Sequence, residues 1–170
     1  TSIGTRIPKS IKNFKEQNTI SPYFILHDAF SLPILTGLTN GQYDVGICSR
    51  DLHYSDLSFI PLFSEKIVVI VKPDNPLASK EKLSPTMLRP YNLITYPEKA
   101  PIGTAVRHEL NAKCPNLSFS EAYDGEIAIA GQVAENNDGG IVADTVLVNS
   151  FNVIKIPLTI PSDTRMVYIA

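Results

Sequence analysis

Apolar residues recur along the chain with two alternating periods, one typical of helices and one typical of strands. Ile7, Ile11 and Phe14 are spaced i, i+4 and i+7, which predicts a helix after Pro8 with one apolar face. A second helix is predicted at residues 31–41 because leucines recur there every third residue. A serine can cap the start of this helix and a glycine can end it.

Short apolar runs between these segments predict strands. The run EKIVVIVK at 65–72 is apolar on both sides, which favours a strand covered on both faces by helices. Two further helices are predicted at 104–112 and 126–135. The other predicted strands lie at 23–27, 44–48, 57–62, 92–96, 117–123, 140–144, 151–157 and 165–170. This alternation of helices and strands indicates an α/β fold.

Composition and charge exclude several classes of function. The 170 residues carry a formal net charge of −2, without the basic excess that binds a phosphate backbone, so this segment is not expected to contact nucleic acid. No apolar run reaches the roughly 20 residues needed to span a bilayer, so no membrane partner is expected. Since the chain begins at Thr1 and not at methionine, we interpret it as a fragment or a processed product.

The cysteines and the missing catalytic motifs narrow the chemistry further. Cys48 and Cys114 are far apart and lack metal-ligand spacing, so we expect two buried thiols in a reducing cytoplasm and no metal or cofactor. A minority hypothesis makes Cys48 a redox-sensing thiol, with Arg50 favouring its thiolate. No nucleophile with a nearby base is evident, and no nucleotide-binding or zinc-protease motif is present.

Polar residues lie at several predicted strand ends, where α/β proteins bind small molecules. These residues are Thr5, Ser31, Ser49, Thr95 and Tyr96. A single serine at a helix start is usually only a cap, but several such positions in one alternating chain predict a ligand cleft. Helix N-termini beside the cleft would suit a carboxylate or another small anion.

The order of the segments resembles the effector-binding domain of LysR-type transcriptional regulators, which has the type 2 periplasmic binding protein fold. The resemblance covers nearly the whole chain. It rests on the motifs IGTRIPKSIKNF, LTNGQYDVGI, LFSEKIVVIVKPDNPLA, LSPTMLRPYNLITY, EIAIAGQVAENNDGGIVAD and IPLTIPSDTRMVYIA. The first of these is similar to the first strand and helix of the family.

The resemblance implies two Rossmann-like lobes with mixed central sheets, joined by two crossover strands. Lobe one is expected at 1–70 and 159–170, and lobe two at 71–158. The crossovers are expected near 68–73 and 155–161. A small, acidic effector would bind between the lobes, and closure would reposition DNA-binding heads carried elsewhere on the full protein.

Effector contacts are carried over from the family by position. Ser31 matches the helix-start hydroxyl and Thr5 matches the loop after the first strand. The remaining positions are Tyr96 and Pro97 in the facing loop, with Ser49 and Ala143 as weaker candidates at neighbouring strand ends.

The resemblance also implies partners. A homodimer or tetramer is expected, with the first helix around 12–16 packing against residues 105–113 of a second copy. DNA would be bound through a winged helix-turn-helix that is absent from this chain. The alternative is a solute-binding protein of a transporter with the same fold. An enzyme is a more distant alternative, because no catalytic set can be named.

Overall fold

The computed structural model describes residues 2–19, 22–136 and 139–170, with the side chains of 2–5 and 121 left out. The helices are α1 (Ser2–Gln17), α2 (Ser31–Thr39), α3 (Pro101–Lys113) and α4 (Glu126–Glu135). The strands are β1 (Ile47–Cys48), β2 (Ile60–Ser64), β3 (Ile67–Val71), β4 (Leu93–Thr95), β5 (Glu121–Ala122), β6 (Gly139–Ala143), β7 (Ile154–Pro157) and β8 (Met166–Ile169). Short 3₁₀ helices lie at Pro76–Ser79, Pro85–Leu88 and Val146–Ser150. Within this described part, no helix is both long and apolar enough to cross a bilayer.

The strands form two sheets. The first has the order β1-β8-β2, and β8 runs antiparallel to both neighbours. The second has the order β5-β4-β6-β3-β7, in which β4 is parallel to β5 and β6 while β3 is antiparallel to β6 and β7. The predicted α/β architecture with mixed sheets is therefore confirmed.

Strand β3 lies in the middle of the main core, and all of its residues are buried. Val69 points to one face of the sheet and packs in the cluster that includes Leu110 of α3. Ile70 points to the other face and packs in the cluster that includes Ile129 of α4. Successive side chains of a strand alternate between faces, so a strand with helices on both sides is apolar throughout. The prediction from the EKIVVIVK run is confirmed.

The predicted helices are also present. The helix predicted at 126–135 coincides with α4. Helix α3 begins a few residues before its predicted start, at Pro101, because proline suits the first helical turn. Helix α2 ends before Gly41, which adopts a φ of +70° and donates its N–H to the carbonyl of Leu38. Glycine adopts this left-handed conformation without steric cost, as its predicted helix-ending role requires.

Two predictions near the start of the chain are wrong. Residues 2–17 form a helix and not a strand, loop and helix, because Ile3 extends the helical spacing of Ile7 and Ile11 backwards. The predicted strand at 23–27 is irregular and exposed, and no strand of the described chain pairs with it. An apolar segment predicts a strand only when a neighbouring strand is available for its hydrogen bonds.

The chain passes between the two sheets twice. It leaves the first sheet at Ser64 and enters the second at Ile67, then returns between Pro157 and Met166. The first crossover was predicted at 68–73, which is wrong because that stretch begins inside β3. These two crossovers connect the sheets.

Candidate functional site

The two crossovers are joined by a pair of opposite charges. Glu65 lies on the first crossover, and its backbone N–H donates to the carbonyl of Arg165, on the second, at 2.8 Å. The Nε of Arg165 lies 3.3 Å from Oε2 of Glu65, with 13% and 7% of the respective side chains exposed. The bond between backbone groups and the ion pair together fix the crossovers against each other.

Arg165 also contacts the residue that follows β1 of the first sheet. Its Nη1 donates to the hydroxyl of Ser49, which follows β1 and is buried. The backbone N–H of Ser49 in turn donates to Oγ of Ser31 at 3.0 Å. Ser31 was predicted to cap its own helix, but Phe30 occupies the cap position and no side chain caps α2. The Ser31 hydroxyl therefore ties the start of α2 to the end of β1.

Tyr96 builds the facing wall on the second sheet. Its hydroxyl donates to Oε1 of Glu126 at 2.8 Å and accepts from the N–H of Ala143 at 2.9 Å. Burial and the nearby Glu126 carboxylate raise the pKa of Tyr96 well above its ordinary value. The tyrosine thus stays neutral and links the ends of β4 and β6 to the first turn of α4.

The two walls form one electrostatic cluster. Burial raises the pKa of Glu65, Arg165 opposes that shift, and the Glu126 charge adds to it. Arg165 also acts on the pKa of Tyr96, in the lowering direction. The charges of Glu65, Arg165 and Glu126 therefore influence one another, and Arg165 joins this group to Ser49 and Ser31.

Cavities lie on both sides of this cluster. The first, of about 160 Å³, is lined from one half by Ser49, Arg50 and Arg165 and from the other by the start of α3 at Pro101 and Ile102. Two guanidinium groups and the hydroxyls of serine and threonine residues line it, against the single carboxylate of Asp163. Charged nitrogen donors of this kind suit a carboxylate or another small anion.

The second cavity, of about 240 Å³, has the opposite character. Three acidic residues, Asp28, Asp124 and Glu126, are among its lining residues beside apolar ones such as Phe30, and none of its lining residues is basic. The Phe30 ring packs over Gly125, where an added Cβ would lie 3.5 Å from the ring, so the two halves touch there. Within the described residues no carboxylate, histidine or cysteine group is arranged to hold a metal ion.

The structure separates the predicted site residues into two groups. Ser31, Ser49 and Tyr96 come together in the cluster just described. Thr95 is fully buried and donates its hydroxyl to the carbonyl of Ile141, so it serves the sheet and not the cleft. Ala143 is buried and contributes its backbone N–H.

The other two predicted positions differ in their surroundings. Pro97 follows Tyr96, and its carbonyl accepts the N–H of Ala100 just before α3. A Cβ on Gly103 would clash with the same carbonyl. This close approach requires glycine at position 103. Thr5 was expected in a loop after a strand, but its backbone belongs to α1. The side chain of Thr5 lies outside the described residues.

The surroundings of Cys48 argue against the redox hypothesis. Cys48 is only 1% exposed, and burial raises the pKa of its thiol from 9.0 to about 11 although Arg165 acts in the other direction. A thiol in this environment stays protonated, whereas reactive cysteines are exposed and have depressed pKa values. Cys114 is also free and buried, and its sulfur accepts the Nε–H of Arg89 at 3.3 Å.

The sequence reading missed three charged residues of the cluster, Glu65, Glu126 and Arg165. A signal was present for each. Glu65 lies between the apolar strands β2 and β3, and Arg165 directly precedes the last strand. Each is therefore a charged residue where the chain passes from one sheet to the other. Glu126 begins a helix, where a carboxylate is favoured by the free backbone N–H groups.

Comparison with known families identifies the class of protein that this fold and cleft define. The family described as the LysR substrate binding domain matches residues 7–158. The chain belongs to this family.

Two curated relatives match part of the chain. The HTH-type transcriptional regulator MetR of Salmonella typhimurium is 35% identical over 60 residues, which are 35% of this chain and 19% of that protein. MetR of Escherichia coli K12 is 33% identical over the same length, again 35% of this chain and 19% of that protein. The matched stretch is thus about a fifth of these regulators.

Solved structures match over almost the entire chain. The effector binding domain of QuiR in complex with shikimate has a TM-score of 0.89 at 20% identity, covering 98% of this chain and 81% of that one. The regulatory domain of CcmR from Synechocystis PCC6803 in complex with 2-PG has a TM-score of 0.79 at 19% identity, covering 99% and 82%. Oxidised OxyR has a TM-score of 0.75 at 18% identity, covering 98% and 78%. At identities of 18 to 20%, these similarities show the fold of the chain.

Proposed function

We propose that this chain is the sensor of a LysR-type transcriptional regulator and binds a small acidic molecule between its two sheets. The observation that carries the proposal is the chain of polar contacts from Ser31 through Ser49 to Arg165. It lies between two cavities that are each lined from both halves of the molecule. Binding sites in α/β proteins lie at the carboxyl ends of strands, and Ser49 and Tyr96 follow β1 and β4 there.

We expected lobes at 1–70 with 159–170 and at 71–158; because β3 (Ile67–Val71) lies wholly in the second sheet, we place the first boundary at the crossover between Ser64 and Ile67. A ligand that contacts both walls of the cleft stabilises the closed arrangement more than the open one, and this difference is what shifts the conformational equilibrium. In the full protein, we propose that closure is transmitted through a homodimer or tetramer to a DNA-binding domain outside this chain. The regulator would act in the cytoplasm, and the sensor itself would catalyse no reaction.

A solute-binding protein of a transporter would share this fold, but the comparisons favour the regulator. The relative MetR is a transcriptional regulator, and the structural neighbours include the effector binding domain of QuiR and the regulatory domain of CcmR. QuiR and CcmR were solved with shikimate and 2-PG respectively. Both compounds belong in the first set of ligands to be tested here.

A thermal-shift screen of small carboxylates and amino acids, with shikimate and 2-PG included, tests ligand binding. A ligand of the folded state raises the melting temperature by mass action. We expect a subset of carboxylates to do so, whereas their uncharged amides or esters do not. A panel in which no carboxylate gives a saturable rise would contradict the proposed ligand class.

The location of the site is tested with Ser31→Ala and the best compound of the screen. Calorimetry is expected to show binding weaker by about 1 to 3 kcal/mol, the usual cost of removing a buried hydrogen bond to a ligand. Ser79→Ala is the matched control, because the Ser79 hydroxyl is exposed and donates only to the carbonyl of Pro76. Equal affinity of both variants and the wild type would place the ligand away from Ser31.

A further inference from the structure

The guanidinium of Arg165 lies between the first cavity and a buried carboxylate. Arg165 lines the cavity with Ser49 and Thr164. Its Nε is buried and lies 3.3 Å from Oε2 of Glu65. The same guanidinium is therefore held by Glu65 and stands beside a space that a ligand can enter.

The surroundings of Glu65 disfavour the charged form of its carboxylate. It lies in a buried environment that disfavours its charge, and the carboxylate of Glu126 repels it while Arg165 attracts it. A buried ion pair is stabilising only when attraction and hydrogen bonds outweigh the loss of hydration. Glu65 is therefore a partner that a better-placed carboxylate can replace.

We propose that Arg165 recognises the acidic group of the effector, and that the Glu65 carboxylate pairs with Arg165 when no effector is bound. This inference rests on the proposed function and assigns the ligand class, a small carboxylate, to one residue. The effector carboxylate enters the first cavity and binds Arg165 beside Ser49. Arg50 adds a second positive charge there, while Asp163 reduces the attraction.

Exchange of the two carboxylates would reach the crossovers directly. Glu65 and Arg165 lie on different crossovers, which their ion pair and the 2.8 Å backbone hydrogen bond both join. A ligand that takes Arg165 away from Glu65 leaves the backbone bond and releases the side-chain contact. Arg165 is thus a specificity residue for the ligand and a positioning residue for the hinge.

Chemical rescue with acetate tests the assignment without knowledge of the effector. Glu65→Gln keeps the side-chain shape but removes the negative charge, so Arg165 loses its neutralising partner. When acetate replaces chloride at constant ionic strength, we expect its melting temperature to rise by about 3 to 6 °C at tenfold the dissociation constant. Acetamide, which has no charge, should produce no such rise.

Three proteins serve as controls for this experiment. The wild type should not respond because Glu65 already occupies Arg165. Glu81→Gln removes an exposed carboxylate outside the cavities and should behave like the wild type. The double variant Glu65→Gln with Arg165→Met should lose the response, since the proposed anion-binding group is gone.

The outcomes separate this inference from the proposed function. An acetate response of Glu65→Gln no larger than that of Glu81→Gln, or one that persists without Arg165, would overturn the assignment while leaving effector binding in the cleft intact. If Glu65→Gln does not fold, Glu65→Ala repeats the comparison. Failure of both variants to fold would make the pair purely structural and would also overturn the proposal.

Discussion

Tyr96→Phe tests whether the second wall of the cleft is built as described. The substitution removes one hydroxyl and leaves the ring in place, so the change is confined to two hydrogen bonds. One is donated to Glu126 and the other is accepted from the N–H of Ala143. Ala143 is fully buried, so its N–H has no access to water after the substitution.

The size of the effect follows from these surroundings. A buried donor left without an acceptor costs about 1 to 3 kcal/mol, and a hydrogen bond to a charged group contributes about 1.5 to 3 kcal/mol. Glu126 is only partly buried, so water replaces most of its lost bond. We therefore expect a loss of about 2 kcal/mol, which for a chain of this length lowers the melting temperature by about 4 to 8 °C.

Urea unfolding followed by far-ultraviolet circular dichroism measures this loss. Tyr54→Phe is the matched control, because the Tyr54 hydroxyl makes a solvent-exposed hydrogen bond of 3.0 Å to Thr36, which water can replace. The control should change stability by less than about 0.5 kcal/mol. An equally small loss in Tyr96→Phe would refute the described role of its hydroxyl.

Two further predictions follow from the ionisable groups. Neither Cys48 nor Cys114 should react with a thiol reagent until urea unfolds the chain, because both are buried and the pKa of Cys48 is raised to about 11; labelling of Cys48 in the native protein would contradict this. The pKa of Glu65 in the folded protein is raised above its ordinary value of 4.5. The protonated side chain therefore stabilises the fold fully below pH 4.5, and this stabilisation is lost as the pH rises through the folded-state pKa. The wild type should therefore lose stability relative to Glu65→Gln over this pH range in urea titrations, and a relative gain would show that the Arg165 attraction exceeds the cost of burial.

The central core could be predicted from the sequence because its patterns are local and strong. The apolar run that forms β3 predicts a strand buried on both faces. The spacing of apolar residues at 126–135 predicts the helix that α4 forms. The segment at 23–27 carried an equally apolar pattern but lacks a strand partner in the described chain. Pairing between strands depends on distant residues, which a local pattern does not contain.

The candidate site could be predicted only in part for a similar reason. Ser31, Ser49 and Tyr96 were found because they follow strands or begin helices in the sequence. Glu65 and Arg165 are a hundred residues apart, and only the folding of both crossovers brings them together. Thr95 shows the opposite error. Its position at a strand end predicted a ligand contact, but its hydroxyl donates to the carbonyl of Ile141 within the sheet.

Amide hydrogen exchange, with and without the carboxylate that gives the largest thermal shift, tests the central claim most directly. Binding between the sheets should slow exchange at residues 49–50 and at the starts of α2, α3 and α4, since these segments line or adjoin the two cavities. The 3₁₀ helices at Pro76–Ser79 and Pro85–Leu88 should be unaffected. Protection confined to those distant segments, with none at residues 49–50 or at the starts of α2, α3 and α4, would contradict a ligand site between the two sheets.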